Sequence, residues 1–361
     1  MAIYLLINVL IVISGIIFKN IRYNNYLYKN NYKNNSELIT MIFSFTLLFF
    51  ISGFRGAFTT DYARYLNLFK YYNHFSFSDI FRYNFGQEFG YVLLNKIIGL
   101  FTNNSIYVGI VTSFIILFFF FKEIKKHSDI VWLSVLMFVT IGSFYTSFNI
   151  IRQIIAASII FSASDYIYER KMFKYFISII FAMLFHKTAL IMIIFYFLLT
   201  FKQNKKNIFL ITIIFTVIFI NINNILIFVQ KFVYSHYTQN SYGMTGYSYK
   251  NIVIPVAILI FVLCHMSKLD LNDIKTRVWV NAVVYYALFS VLGLKIQMIQ
   301  RIAEFFSPYV LLIVPRIIIS IHNKNERIIY LTLAIFLLIS YNFVALHGTG
   351  YDPYYFIWES N

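Results

Sequence analysis

Apolar runs of roughly membrane-spanning length alternate with short polar connectors along most of this chain. A bilayer core about 30 Å thick needs roughly 20 apolar residues per helix. One run, 173–201, exceeds that length and is interrupted by His186 and Lys187. The pattern predicts an all-α polytopic membrane protein, with further spans at 2–18, 38–54, 105–121, 130–148, 150–168, 207–229, 252–267, 278–294, 302–319 and 328–345.

The basic residues decide how the long run crosses the membrane. If it is two short segments that meet at His186, one side of the membrane receives connectors with 19 of the 30 Lys and Arg residues: 19–37, 122–128, 169–174, 202–207, 268–277 and 316–327. If it is one helix, three of these connectors move to the other side. Basic loops favour the cytoplasmic side. We therefore expect about twelve membrane segments, both termini outside, and His186 near the outer surface.

Two connectors on the predicted outer side are longer than turns. Residues 55–104 contain two amphipathic stretches, Asp61 to Tyr72 and Phe89 to Phe101, with Lys96 on the polar side of the second. We expect these stretches to lie along the membrane interface. Residues 230–250 are rich in Tyr, Ser, Asn and Gly, a composition that suits a mobile outer loop. Residues 1–361 are predicted to form a single integral membrane domain.

Composition supports this class and narrows the function. The chain has 361 residues, of which 60% are hydrophobic and 12% are charged. A soluble domain of this length could not solvate such a surface. The net charge of +16 resides mostly in the cytoplasmic connectors, so nucleic acid is not an expected partner. A glycine-rich phosphate loop and paired Cys or His residues with metal-ligand spacing are absent from the sequence, so we expect no metal or cofactor.

Arginines on the predicted outer side are candidate anion ligands. Arg152 and Arg301 each begin a span that runs inward, where a cation opposes the helix dipole. Guanidinium groups and free helix N–H groups together suit phosphate oxygens. Arg55, at the outer end of the second span, is another candidate. The alternatives are snorkelling to the interface and a local pair between Arg301 and Glu304.

Asp61 and His186 are the candidate bases for a sugar hydroxyl. Asp61 follows Thr60, so capping and a pair with Arg64 explain it almost equally well. His186 can instead be a hydrogen-bonded structural residue. Glu88 starts the second amphipathic stretch, and capping explains it as well as catalysis does. We assign no role to three groups that map to the inner half: Asp165, His265 and His322.

Taken in order, these polar islands resemble the EpsG-type, Wzy-like family of bacterial exopolysaccharide and capsule polymerases. The similarity extends over residues 50 to 310. It rests on Arg55 with Thr60-Asp61-Tyr62-x-x-Tyr65, Glu88-Phe89-Gly90-Tyr91, Ile151-Arg152-Gln153, Phe185-His186-Lys187-Thr188 and Arg301-x-x-x-Phe305-Phe306. The family usually shows Gly-Thr-Asp-Tyr, Glu-Pro-Gly and His followed by Ser. This chain has Thr-Thr-Asp-Tyr, Glu-Phe-Gly and His-Lys-Thr, which affects loop shape more than membership.

The resemblance implies a glycosyltransferase at the outer face of the bacterial cytoplasmic membrane. Polyprenyl-diphosphate-linked oligosaccharide units are joined head to tail as polyprenyl diphosphate leaves. The diphosphate would be bound by Arg55, Arg152 and Arg301, and the candidate catalytic residues are Asp61, His186 and Glu304. The glycan would be bound by Tyr62, Tyr65, Arg64, Glu88 and Gln153. On this interpretation Arg152, His186 and Arg301 gather in one pocket that opens away from the cytosol.

Further partners and alternative functions follow from the same interpretation. The expected partners are the lipid-linked oligosaccharide, the growing glycan, membrane lipid, and flippase and chain-length regulator proteins. A transporter or flippase of the lipid-linked unit is the main alternative. Transport would favour polar groups through the midplane, whereas here they favour one rim. An outer-face acyl- or phosphotransferase that uses His186 is a third possibility.

Overall fold

A computed structural model describes residues 1–24, 32–202, 204–233 and 250–359 of the chain. Within these ranges the regular elements are all helices, and the only β-type pairing is an isolated bridge between Arg55 and Phe356. The predicted all-α class is therefore confirmed. The fold divides into two compact units: Met1–Ile193 together with Ile321–Asn361, and Ile194–Ser320.

Both units are built from helices of very different lengths. The first contains α1 (Ala2–Asn24), α2 (Tyr32–Gly53), α3 (Thr60–Asn73), α4 (Asp79–Arg82), α5 (Phe89–Gly99), α6 (Ile106–His127), α7 (Val131–Thr140), α8 (Ser143–Asn149), α9 (Ile151–Ser162), α10 (Ser164–Tyr168), α11 (Met172–Met183) and α18 (Lys324–Leu346). The second begins within α12 (Met192–Thr200) and contains α13 (Lys205–Val233), α14 (Lys250–His265), α15 (Ile274–Leu292), α16 (Gln297–Ala303) and α17 (Val310–Ile319).

Among the described residues, three helical segments are long and apolar enough to cross a membrane: Ile106–His127, Ile299–Ile319 and Lys324–Leu346. The 22 residues of α6 extend about 33 Å at a rise of about 1.5 Å per residue, which matches a bilayer core of about 30 Å. Seven other apolar helical stretches have 10–17 residues. The chain is an all-helical membrane protein, and the total of about twelve membrane segments stays a prediction.

Two helix breaks shape the first unit. Residues 130–148 were expected to form one span, but α7 and α8 meet at a bend of 44°. The run bends because Gly142 adopts a φ of 111°, which a right-handed helix cannot include, and the prediction that it forms one span stays a prediction. The predicted break at His186 is confirmed. There α11 ends at Met183, and the backbone of His186 is extended before a 3-10 turn.

Both amphipathic stretches of the 55–104 connector are helical. They form α3 and α5, which pack against α6 through Phe69, Ile98 and Val108. Lys96 does not lie on a polar face as expected. The residue is largely buried, and its ammonium donates a hydrogen bond of 2.7 Å to the carbonyl of Phe75, beyond the end of α3. The position of these helices at a membrane interface stays a prediction, and the predicted loop 230–250 falls almost wholly outside the described residues.

A C-terminal segment after α18 packs along the end of α2. The N–H of Gly56 donates to the carbonyl of Tyr355 at 2.8 Å, and the N–H of Ile357 donates to the carbonyl of Phe54 at 3.0 Å. These two bonds flank Arg55 on either side. The segment therefore helps to bury the end of the second predicted span.

The second unit has its own core. The amide of Asn281 on α15 donates to the carbonyls of Leu199 and Phe201 at 2.7 and 2.8 Å, which satisfies acceptors at the end of α12. The buried apolar residues of this core include Ile208, Met266, Val284 and Leu288.

Candidate active site

Glu88 lies directly before α5, but its side chain makes no capping hydrogen bond to that helix. The capping interpretation is therefore wrong. In the first turn, the N–H of Gly90 donates to the carbonyl of Leu184 at 2.8 Å. A Cβ at Gly90 would lie 2.8 Å from the same carbonyl oxygen, so only glycine permits this approach without a shift of the backbone. The approach places Glu88 beside the helix break that contains His186.

His186 lies at that break with its side chain largely buried. Its backbone is extended, with φ −156° and ψ 117°, between α11 and the 3-10 turn Lys187–Ile191. Its ring nitrogen Nδ1 lies 3.3 Å from Oε1 of Glu88. The break therefore directs an imidazole toward a carboxylate.

Arg152, the second residue of α9, binds the other oxygen of the same carboxylate. Its Nη1 donates to Oε2 of Glu88, and its side chain remains 23% exposed. Its guanidinium carbon lies 6.0 Å from the ring centres of both Tyr65 and Tyr91, and these rings meet edge to face at 5.4 Å. We call Glu88, Arg152 and His186 the Glu88 cluster.

The carboxylate of Glu88 carries a fixed negative charge. Burial by itself would raise the pKa of the Glu88 carboxyl, but the nearby His186 imidazole and the charge of Arg152 outweigh burial and lower the pKa to about 2. The carboxylate is therefore ionised at neutral pH. It favours the imidazole tautomer with its proton on Nδ1, which leaves Nε2 as an acceptor; this tautomer is assigned from the contact.

Arg55 occupies a different and enclosed environment. Its side chain is 1% exposed, and its Nη1 donates to the carbonyl of Ser52 and, at 3.2 Å, to Oγ of Ser113. Its guanidinium carbon lies 3.9 Å from the ring centre of Tyr62 and 4.8 Å from that of Phe148. Arg55 and Tyr62 are thus brought together as a buried cation–π pair.

Asp61 is the second residue of α3, and its backbone N–H donates a hydrogen bond of 3.3 Å to Oδ1 of Asn149. The N-cap is Thr59, and Thr60 is the first residue of the helix. Within the described residues no ion pair joins Asp61 to the exposed Arg64, so that local-pair interpretation is wrong. Gln153 is buried next to Arg152 in α9.

Arg301 and Glu304 belong to the second unit. Arg301 is exposed in the last turn of α16, and Glu304 is half-buried directly after that helix. The apolar segment Ile299–Ile319 begins two residues before Arg301, which agrees with its predicted place at the start of a span. That Arg301 shares a pocket with Arg152 and His186 stays a prediction.

Sequence reasoning missed the central role of Glu88. The sequence suggested Arg152 as an anion ligand and His186 as a base. It did not indicate that one carboxylate contacts both side chains. The spacing Glu88-x-Gly90 held a signal, because a glycine in a first helical turn suggests close approach of another backbone. The C-terminal segment beside Arg55 was also missed, since aromatic residues after a span give no indication of their partner.

Comparison with known protein families gives a match over most of the chain. The sequence profile of the EpsG family matches residues 38–357, a range that contains every predicted site residue. No curated protein and no solved structure matches the chain.

Proposed function

The chain belongs to the EpsG family, and from that premise we propose that it is a glycosyltransferase that polymerises lipid-linked glycan units. The family indicates an activity of the polysaccharide-polymerase type. The proposed substrate is an oligosaccharide linked to polyprenyl diphosphate, and the proposed place is the outer face of the bacterial cytoplasmic membrane. The observation that supports this most directly is the Glu88 cluster, which puts a base, its carboxylate partner and an arginine side by side.

The proposed reaction exchanges one bond to an anomeric carbon for another. The hydroxyl oxygen of one unit forms a bond to the anomeric carbon of a second unit, and the bond from that carbon to the diphosphate oxygen breaks. Polyprenyl diphosphate leaves with the bonding electron pair. The proton of the attacking hydroxyl goes to a base on the protein.

His186 is the base that we propose. Its Nε2 accepts the hydroxyl proton, and the Glu88 carboxylate, 3.3 Å from Nδ1, stabilises the imidazolium that forms. This is the division of work found in carboxylate–histidine pairs generally. Asp61 is the alternative base, and Glu304 is a further candidate from the second unit.

Arg152 is the residue that we propose for the diphosphate. A guanidinium has five N–H donors, of which Glu88 uses one on Nη1. Among the described residues, Nε of Arg152 makes no hydrogen bond. An unmet buried donor costs about 1–3 kcal/mol, so an incoming phosphate oxygen would relieve an existing penalty. Arg301 is proposed as the second diphosphate ligand.

The remaining predicted residues differ in how well their surroundings suit the predicted roles. Tyr65, with its ring near Arg152, is proposed to contact the sugar next to the diphosphate. Arg64, which is exposed, stays a candidate for a glycan contact. Gln153 and Tyr62 stay candidates as well, but both are buried and would have to become exposed first. Arg55 would reach a diphosphate only after the C-terminal segment moves, because its side chain is 1% exposed.

The test of the proposed function is deletion of the protein followed by analysis of lipid-linked intermediates. We expect surface polymer to disappear and single lipid-linked repeat units to accumulate at the outer face. Their accumulation at the inner face would contradict the proposal and favour a flippase. A complementing copy that restores long polymer is the control.

A further inference from the structure

A second cluster of titratable side chains joins the end of α6 to α10, and the proposed function uses none of it. Glu123 and His127 are one helical turn apart on α6, and Asp165 lies on α10. One ligand atom from each residue can be chosen so that all three lie within 4.8 Å of one another. These residues therefore form a compact set of two carboxylates and one imidazole.

The distances within this set suit a small cation. Nε2 of His127 lies 2.9 Å from Oδ1 of Asp165 and 3.5 Å from Oε1 of Glu123. In a tetrahedral zinc site with bonds of about 2.0–2.1 Å, neighbouring ligand atoms lie roughly 3.3 Å apart. The two distances that involve His127 fall on either side of that value, and the carboxylate oxygens of Glu123 and Asp165, which lie within 4.8 Å of each other, would have to move together on the ion.

Burial makes compensation of the two carboxylates important. The side chains of Glu123 and His127 are 0% and 2% exposed, and that of Asp165 is 17% exposed. Buried carboxylates at the end of a membrane span are costly unless cations neutralise them.

Neighbouring contacts hold the three groups in place. Nζ of Lys126 lies 2.5 Å from Oδ2 of Asp165, which leaves Oδ1 directed at the imidazole. The ring of Tyr168 packs edge to face on that of His127 at 5.2 Å. Nζ of Lys122 donates to Oγ of Ser162 at 3.1 Å, a second link between α6 and the α9–α10 segment. Outer contacts of this kind orient metal ligands before a metal binds.

We propose that Glu123, His127 and Asp165 bind a divalent metal ion of the zinc class. One imidazole with two carboxylates favours zinc over copper(I), which prefers sulfur, and over magnesium, which takes oxygen ligands alone. Three protein ligands leave a fourth position for water.

The role of this metal is to clamp helices rather than to take part in glycan chemistry. Ser113, which bonds Arg55, and His127 lie on the same helix, 14 positions apart. At about 1.5 Å per residue the cluster is roughly 21 Å along α6 from that contact. A metal there ties the end of α6 to α10.

The experiment uses the full-length protein purified in detergent with an affinity tag that contains no histidine. The protein is stripped with EDTA and titrated with Zn²⁺, while bound zinc is measured by mass spectrometry and unfolding is followed by scanning fluorimetry. We expect about one zinc per chain and a rise of several degrees in Tm, because a ligand that binds only the folded state stabilises it. Mg²⁺ at the same concentration should give neither result.

Matched variants identify the ligands. Glu123→Gln, His127→Gln and Asp165→Asn should each weaken zinc binding at least tenfold and abolish the zinc-dependent rise in Tm. Glu169→Gln is the control, because that carboxylate is close in sequence but exposed and paired with Lys171 at 2.6 Å. It should bind zinc like the unchanged protein.

X-ray absorption at the zinc edge, on the unchanged protein, gives a result that does not depend on whether variants fold. We expect nitrogen and oxygen neighbours at about 2.0–2.1 Å. Three outcomes would overturn the proposal: an unchanged protein that retains no zinc, a sulfur neighbour that points to Cys264, or zinc binding that persists in all three ligand variants. An equal response to Mg²⁺ would overturn the assigned metal class.

Discussion

The carboxylate of Glu88 lies 3.3 Å from Nδ1 of His186, and the same carboxylate accepts a hydrogen bond from Arg152. This relationship makes Glu88 a positioning residue for two different tasks. It fixes the imidazole through one oxygen and the guanidinium through the other. Because both tasks depend on its charge, Glu88 is the most informative position to change.

Glu88→Gln should lower the rate of polymerisation by about 10- to 100-fold, a part of the usual contribution of general base catalysis. The amide keeps the size of the side chain but cannot stabilise an imidazolium at His186. The measurement is glycan formation by purified protein from a lipid-linked repeat unit, below the unfolding temperature. We expect kcat to fall more than KM rises, and Glu88→Asp to recover part of the rate. Equal rates for Glu88→Gln and the unchanged protein would remove Glu88 from the mechanism.

The lowered pKa of Glu88 gives a separate prediction for stability. The folded-state pKa of about 2 lies below the ordinary value of 4.5, so the ionised carboxylate stabilises the fold above about pH 4.5. This contribution, on the order of 3 kcal/mol, is lost as the pH falls from about 4.5 toward 2. In thermal unfolding, the unchanged protein should have a higher Tm than Glu88→Gln at pH 7, and this difference in Tm should narrow below pH 4.5. A difference in Tm that stays constant with pH would contradict a stabilising role for the ionised Glu88 carboxylate.

Gly90→Ala should separate Glu88 from His186 without altering either side chain. The new Cβ would lie 2.8 Å from the carbonyl oxygen of Leu184, so the start of α5 must move away from the helix break. We expect a loss of about 1–3 kcal/mol in the free energy of unfolding and a fall in polymerisation rate.

Gly350→Ala is the matched control for this change. Gly350 has open space around its Cβ position, so alanine there should leave stability and rate nearly unchanged. If Gly90→Ala behaves like Gly350→Ala, the close approach of α5 to the break is not required for function.

The class of the fold and the break at His186 were predictable from the sequence because each has a local cause. Apolar length determines which runs can be buried in lipid, and the interruption by His186 and Lys187 marks a place where a helix in lipid is unfavourable. The bend at Gly142 is also local, yet one glycine within an apolar run does not show that its φ will be positive. That bend was therefore missed.

The site was predictable as a set of residues but not as a set of contacts. Arg152 and His186 were chosen because each is a polar group beside an apolar span. Their shared partner Glu88 depends on the packing of α5 against the end of α11, a long-range contact with no local signal beyond Gly90. The burial of Arg55 depends likewise on a C-terminal segment that is remote in sequence.

Arg152→Lys should abolish long polymer while protein remains in the membrane. Lysine keeps the charge but has a single ammonium, so it cannot bond Glu88 and a phosphate oxygen with a planar fork. The readout is polymer length on the cell surface, and Arg301→Lys should shorten polymer in the same assay. Arg82→Lys, an exposed change in α4, is the control and should leave length unchanged. Normal polymer in both Arg152→Lys and Arg301→Lys would reject the diphosphate assignment.

The two ends of the first unit should face opposite sides of the membrane. Lys187, beside His186, and Lys125, near the end of α6, are both exposed and can be replaced by cysteine in a Cys264→Ser background. A thiol reagent that cannot cross membranes should label Lys187→Cys in intact cells and Lys125→Cys only after the cells are opened. The physical reason is the excess of basic residues in the 122–128 connector, which retains that end on the cytoplasmic side. Labelling of Lys125→Cys in intact cells, with Lys187→Cys protected, would invert the topology and place the Glu88 cluster where no translocated glycan can reach it.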